Sequence, residues 1–193
     1  FFDQTPYIGP DVYGSTLGII GFGKIGQALA KRAQGFDMNV LYYSRSRKDE
    51  LEPKLNVKWT PNLNNLLKES DYVCVLVPLS KNTEHIISVD ELNLMKKSAY
   101  LINTSRGKTV DQKALINALE SNSIAGAALD VTDPEPIEMD SKLLSMQNVL
   151  IVPHISSAST KTIENMGLMA AKNIILGLTG KEMLSCINED KTK

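Results

Sequence analysis

Short apolar runs recur along the chain: Leu17-Gly18-Ile19-Ile20, Asn39-Val40-Leu41-Tyr42-Tyr43, Tyr72-Val73-Cys74-Val75-Leu76-Val77, Ala99-Tyr100-Leu101-Ile102, Ile124 to Leu129, and Val149-Leu150-Ile151-Val152. The Tyr72–Val77 run is continuous rather than alternating, as a strand covered on both faces requires. Between the runs, apolar residues return at helical spacing. Ile25, Ala28, Leu29 and Ala33 predict a helix with one face on the sheet. Thr60-Pro61 reads as a cap followed by an N-terminal proline, ahead of Leu63, Leu66 and Leu67. Ser88 and Glu91 have capping-box spacing before Leu92, Leu94 and Met95. Asp111 is placed to cap the helix of Ala114, Leu115, Ala118 and Leu119. Gly126, inside a strand pattern, predicts a close approach by another element.

Six strands alternating with helices predict an α/β fold: a doubly wound parallel sheet with helices on both faces. Such a sheet places its first and fourth strands together and binds ligands at the strand C-terminal ends. The last helical stretch, Thr160 to Thr179, is apolar nearly all round. It is expected to be covered on several sides, by a further lobe or a partner subunit.

The first run ends in Gly21-Phe22-Gly23-Lys24-Ile25-Gly26 and opens into a helix. Gly21 permits the tight turn, Gly23 lets backbone approach a pyrophosphate, and Gly26 lets helix and strand pack closely. The positive end of the helix then faces the phosphates. A lone GxGxxG carries little weight. Preceded by one strand and followed by a helix and a second strand, it is a dinucleotide-binding fingerprint of the Rossmann type. After the second strand, NAD enzymes place an acidic residue that bonds the ribose 2′-hydroxyl. This chain has Ser44-Arg45-Ser46-Arg47 instead. An arginine suits a 2′-phosphate, so NADP(H) is expected in preference to NAD(H).

Composition changes the picture little. The 193 residues, 42% hydrophobic and 22% charged, suit one sizeable globular domain. A net charge of −1 offers no argument for a nucleic-acid or anionic-membrane partner. The two cysteines, Cys74 and Cys186, make no disulfide framework, and Cys74 reads as a small buried hydrophobe. No metal site is expected. With no transmembrane-length run and no signal-peptide pattern, a cytoplasmic location is expected. Residues 1–14, rich in aromatics, Pro and Gly, read as a connector leading into the first strand from an upstream lobe that is missing. Residues 15–158 read as the cofactor domain, and 159–193 as a C-terminal helix and tail that packs on the missing lobe or a partner subunit.

Polar groups cluster at three successive strand ends: Asn103-Thr104-Ser105-Arg106-Gly107, Asp130-Val131-Thr132-Asp133-Pro134-Glu135-Pro136, and Pro153-His154-Ile155-Ser156-Ser157. Together they supply a cation, carboxylates and an imidazole, which suits reduction of a 2-oxo acid. An Arg pairs the substrate carboxylate and polarises its carbonyl. A His donates the proton as hydride arrives, and a carboxylate behind it orients the ring and favours its charged form. Taken singly, each group also fits a surface or turn residue.

These stretches, with Gly18 to Gly26, Tyr42 to Arg47, Val77-Pro78-Leu79-Ser80 and Thr83, resemble the cofactor-binding part of the D-isomer-specific 2-hydroxyacid dehydrogenases. The similarity is greatest to the glyoxylate/hydroxypyruvate reductase branch. The resemblance implies that Arg106 binds substrate, Glu135 partners His154, and His154 is the acid/base. It implies that Asp130 holds the nicotinamide carboxamide, while Pro78, Thr83, Thr104 and Ser157 line the cofactor. Two residues depart from the family pattern: Ser156 stands where a glycine is usual, and Lys24 replaces an arginine beside the pyrophosphate. The family also carries its substrate lobe ahead of the cofactor domain, and nothing here replaces it. The cofactor part alone is therefore expected to be inactive. A homodimer reducing glyoxylate to glycolate, or hydroxypyruvate to D-glycerate, is the implied enzyme. The alternatives are a relative acting on 3-phosphoglycerate or D-lactate, and a nucleotide-sensing interaction module of the corepressor kind.

Overall fold

The apolar runs form strands, and all but the last have both faces covered; in the last, Leu150 is 62% exposed. The computed structural model describes residues 9–186, so most of the expected 1–14 connector and the end of the C-terminal tail lie outside the described residues. In chain order the elements are β1 (Thr16–Ile20), α1 (Lys24–Ala33), β2 (Asn39–Tyr43), α2 (Glu52–Leu55), β3 (Val57–Trp59), α3 (Leu63–Glu69) and β4 (Tyr72–Val75). They continue with α4 (Val89–Leu94), β5 (Tyr100–Asn103), α5 (Gln112–Glu120), β6 (Gly126–Leu129), β7 (Val149–Ile151) and α6 (Thr160–Leu178). Two compact units divide the chain between His154 and Ile155.

In the first unit all strands pair in parallel, in the order β3-β2-β1-β4-β5-β6-β7. Successive strand residues point to opposite faces. Leu17, Ile19, Val40, Tyr42 and Cys74 join Ala30 and Ala33 of α1 in one core. Ile20, Leu41, Val73, Val75 and Leu101 join Leu66 and Leu67 of α3, Leu92 of α4 and Leu115 of α5 in the other. Leu66 and Leu115 are buried almost completely, and truncating either to Ala would cost about 2–5 kcal/mol. Burial also pushes the Cys74 thiol up to about 12, which keeps it inert.

Four expectations change. The sheet has seven strands among the described residues, not six; the addition, β3, is a three-residue edge strand with Lys58 exposed. Counting β3 moves the strand beside β1 from the Ala99–Ile102 run to Tyr72–Val75, which is the true fourth strand. The buried face of α1 is Gly26, Ala30 and Ala33, whereas Ile25 is 70% exposed and Ala28 exposed. Gly26 fixes that rotation, because its backbone lies so close to β1 that a Cβ would stand 2.5 Å from Gly21 O. The cap of α3 is Asn62, whose side chain accepts from Asn64 N–H at 2.8 Å, rather than Thr60. The other two caps form as expected. Glu91 accepts from Ser88 N–H at 3.1 Å, and Asp111 accepts from Lys113 and Ala114 N–H at 3.0 and 3.1 Å.

The second unit is dominated by α6, capped by Ser159 through Thr162 N–H at 3.3 Å. None of its residues is buried, so the apolar side chains of Ile163, Met166, Leu168 and Ile174 all meet solvent. Among the described residues no helix is long and apolar enough to cross a membrane.

Candidate active site

The C-terminal end of β1 turns at Gly21, whose φ of +101° only glycine adopts without strain. Gly21 N–H donates to Tyr43 O of β2 at 2.9 Å, and a Cβ on Gly21 would stand 2.9 Å from the Leu76 carbonyl just beyond β4. The turn is thus wedged between two strand exits at the point where the sheet reverses its winding. Phe22 packs into the core and stacks on Tyr42, with ring centroids 4.0 Å apart. Gly23 is the N-cap of α1, and nothing lies within 4 Å of where its Cβ would be. The helix start has no side-chain cap and no acidic residue in its first turn. Open space over uncapped N–H groups at a positive helix end fits a dinucleotide pyrophosphate. Lys24 and the outward-facing Ile25 flank it.

The Ser44–Lys48 loop is already partly committed. Ser44 Oγ donates to Ser46 O at 2.7 Å. Arg47 forms a fork on Glu52, with both N···O distances 2.7 Å, and its guanidinium carbon lies 5.8 Å from the centroid of the Trp59 ring. That leaves the Arg45 guanidinium, the Ser46 hydroxyl and the Lys48 ammonium as the loop side chains without a protein partner among the described residues. On the far side of the turn, Thr83 Oγ1 donates to Pro78 O at 2.6 Å, shaping the loop beyond β4.

At the end of β5, buried Asn103 organises the next segment. Its Oδ1 accepts from Ser105 N–H and Ser105 Oγ at 3.0 and 2.9 Å, and its Nδ2 donates to Arg106 O at 3.0 Å. Thr109 Oγ1 donates to the same carbonyl at 2.7 Å. Thr104 is half-buried between them, and the Arg106 side chain is exposed, with Nη1 on Ser105 O at 2.6 Å. A Cβ on Gly107 would stand 1.9 Å from Thr132 O, so this segment lies directly against the loop after β6. Gln112 of α5 ties the same loop, accepting from Asp133 N–H at 3.1 Å.

That loop delivers Glu135 to His154. Asp130, buried at the exit of β6, accepts the His154 N–H on its carbonyl at 2.9 Å. His154 takes a left-handed backbone with φ of 53°, a conformation that side-chain-bearing residues hold where surroundings enforce it. Its Nδ1 lies 2.5 Å from Glu135 Oε1, with the two side chains 45% and 41% exposed. Beside the pair opens a cavity of about 550 Å³. Asp130, Glu135 and His154 form its polar edge, and Ile137, Leu144 and Val152 part of its apolar wall. Ser157 belongs to the second unit. No group of three or more metal-ligating side chains occurs among the described residues.

The structure brings Glu135 onto His154 and the Arg106 segment onto the Glu135 loop. The sequence reading placed Asn103 among the strand-end polar groups without a role of its own, and it missed Thr109 and Gln112, which also hold them, as well as Glu52. Small polar residues directly after an apolar strand were the signal for Asn103, whereas Glu52 carries none.

Residues 2–156 match the model of the D-isomer specific 2-hydroxyacid dehydrogenase NAD binding domain. A glyoxylate reductase of Pyrococcus horikoshii is 49% identical over 187 residues, covering 97% of this chain and 55% of that protein. A glyoxylate/hydroxypyruvate reductase B of Cronobacter sakazakii is 46% identical, covering 99% and 60%. The crystal structure of a D-lactate dehydrogenase with NAD+ from Lactobacillus jensenii superposes with a TM-score of 0.88 at 30% identity, covering 98% and 60%. The chain spans little more than half the length of the curated relatives it matches. The chain belongs to the D-isomer specific 2-hydroxyacid dehydrogenase family, and what it carries of that family is the nicotinamide-cofactor-binding domain.

Proposed function

We propose that the protein moves hydride between a nicotinamide cofactor, NADPH ahead of NADH, and a small 2-oxo acid. Glyoxylate going to glycolate, or hydroxypyruvate to D-glycerate, is the proposed reaction, in a cytoplasmic homodimer. The observation that carries this reading is the 2.5 Å pairing of Glu135 with His154 at adjacent strand ends. With Nδ1 occupied by the carboxylate, the other ring nitrogen is left to exchange a proton with a substrate oxygen. The Glu135 carboxylate then holds the ring in place and fixes which nitrogen faces it. Arg106, exposed beside the same loop, is suited to grip a substrate carboxylate and polarise the adjacent carbonyl.

The remaining residues fit the cofactor. Gly21, Gly23, Lys24, Ile25 and Gly26 accommodate the pyrophosphate, and Arg45 with Ser46 the 2′-phosphate. Asp130 takes the carboxamide, while Pro78, Thr83 and Thr104 line the site. A bound nicotinamide supplies the hydride. Relatives named as glyoxylate and glyoxylate/hydroxypyruvate reductases support the choice of acid.

The test is a steady-state assay of the full protein with NADPH and NADH against glyoxylate, hydroxypyruvate, pyruvate and 3-phosphohydroxypyruvate. The expected result is fastest NADPH oxidation with one of the first two acids. Absence of turnover with all four, under either cofactor, overturns the reading.

A further inference from the structure

Tyr42 is fully buried in β2, yet its hydroxyl works at the edge of the cofactor site. Lys48 N–H donates to it at 2.8 Å, and it donates to Glu52 Oε1 at 3.0 Å. The same carboxylate holds Arg47 by two bonds. The result is one hydrogen-bonded chain from the end of the 44–48 loop, through a core tyrosine, to α2. Such chains polarise and strengthen one another where water is excluded. Burial first, and then the neighbouring Glu52, push the phenol above the usual tyrosine range, so it stays a donor. The other face of the residue matters too. Its ring stacks on Phe22, which sits between Gly21 and Gly23 in the glycine turn. One side chain therefore touches both the turn facing the pyrophosphate and the loop facing the ribose.

We propose that Tyr42 is a positioning residue for 2′-phosphate selectivity: its hydroxyl fixes the Ser44–Lys48 loop so that Arg45 and Ser46 meet a ribose 2′-phosphate already ordered. This rests on the NADPH reading above. Ser44 is spent on Ser46 O, Arg47 on Glu52 and Lys48 N–H on Tyr42, so the loop's shape brings Arg45 to the ligand. A loop ordered in advance loses less freedom on binding. A ligand without the 2′-phosphate does not draw on that order.

Tyr42→Phe removes only the hydroxyl and keeps the ring on Phe22. Calorimetric titration of the full protein with 2′,5′-ADP and 5′-ADP reads the effect, and thermal unfolding of the variant checks that it is folded. Tyr42→Phe is expected to weaken 2′,5′-ADP about tenfold, the scale of one lost bond to an ordered polar group, and to leave 5′-ADP within about twofold. Equal weakening of both nucleotides, or of neither, overturns the proposal. A wild-type protein that binds the two nucleotides equally instead overturns the NADPH reading itself.

Discussion

Glu135 reaches His154 across two strand exits, and His154 is held in place by the carbonyl of Asp130, the residue that follows β6. The carboxylate, the imidazole and the backbone that spaces them therefore form one rigid corner. A pair built this way should act as a unit. His154→Ala is expected to lower kcat of the full protein by about a hundredfold or more, the scale of a general acid. Glu135→Gln keeps an acceptor for Nδ1 but removes the charge. Bonds to charged groups exceed neutral ones by about 1–1.5 kcal/mol, so kcat should fall about tenfold. An unchanged kcat in Glu135→Gln would show that the pairing does not serve the proton transfer.

Arg45 carries the second prediction. Its neighbour Arg47 is neutralised by Glu52, so removing Arg45 takes away the guanidinium left free in this loop. Arg45→Ala should weaken NADPH by about ten- to a hundredfold, as for a charge-assisted bond of roughly 1.5–3 kcal/mol. NADH should change little, and Arg47→Ala should discriminate less between the two. Equal loss of both cofactors in Arg45→Ala would remove the phosphate assignment.

How much of this could be read from the sequence follows from what each residue has to do. Five of the six apolar runs were legible because strands covered on both faces have few polar positions to spare; the last reads as apolar although Leu150 meets solvent. β3 was not, because a three-residue edge strand leaves Lys58 in solvent and shows no continuous run. The glycine turn and the Arg106, Glu135 and His154 positions were legible because their residue types sit at fixed places after strands. The rotation of α1 was not: Ile25 looks like core, yet the close approach of Gly26 to Gly21 turns it outward. Nor was the pairing of Arg47 with Glu52. An ion pair across a loop leaves no period, so an arginine held by its neighbour reads the same as one free to bind phosphate.

Asp111 gives a prediction in pH. The Ala114 N–H bond, then nearby His85 and the Lys113 and Ser88 donors, hold its carboxyl below its ordinary value of 3.8. A carboxyl depressed on folding contributes stability that is fully present above the unfolded value. That contribution is lost as pH falls through the lower folded value. Asp111→Ala should therefore cost about 1 kcal/mol near neutral pH, the usual worth of such a cap, and progressively less in acid. Asp111→Asn, which caps without a charge, should lose less at neutral pH and show a flatter difference from the wild type as pH falls. Thermal unfolding across that range is the measurement; a penalty for Asp111→Ala that does not shrink in acid would contradict the capping role.

The two glycines of the turn separate affinity from stability. Gly26 has no room: an added Cβ meets Gly21 O at 2.5 Å and Ile19 Cγ2 at 3.2 Å, backbone and core that cannot yield. Gly26→Ala must push α1 off β1, an overpacking cost of about 1–3 kcal/mol, and the displaced helix start should lose dinucleotide as well. Gly23 has all the room it needs, with nothing within 4 Å and a backbone φ of −78° that alanine adopts freely. Gly23→Ala should change the melting temperature little, since the freedom lost by the unfolded chain is offset by the poor fit of alanine at an N-cap. The new methyl would nevertheless stand where the pyrophosphate comes closest to the backbone, so NADPH and NADH affinity should both fall, about tenfold or more by analogy with a lost charged bond. Calorimetry and thermal unfolding on the same two variants give the answer. Full dinucleotide affinity in Gly23→Ala would mean that the phosphates do not pass over this turn, and the assignment of the cofactor site to the α1 end of β1 would fall with it.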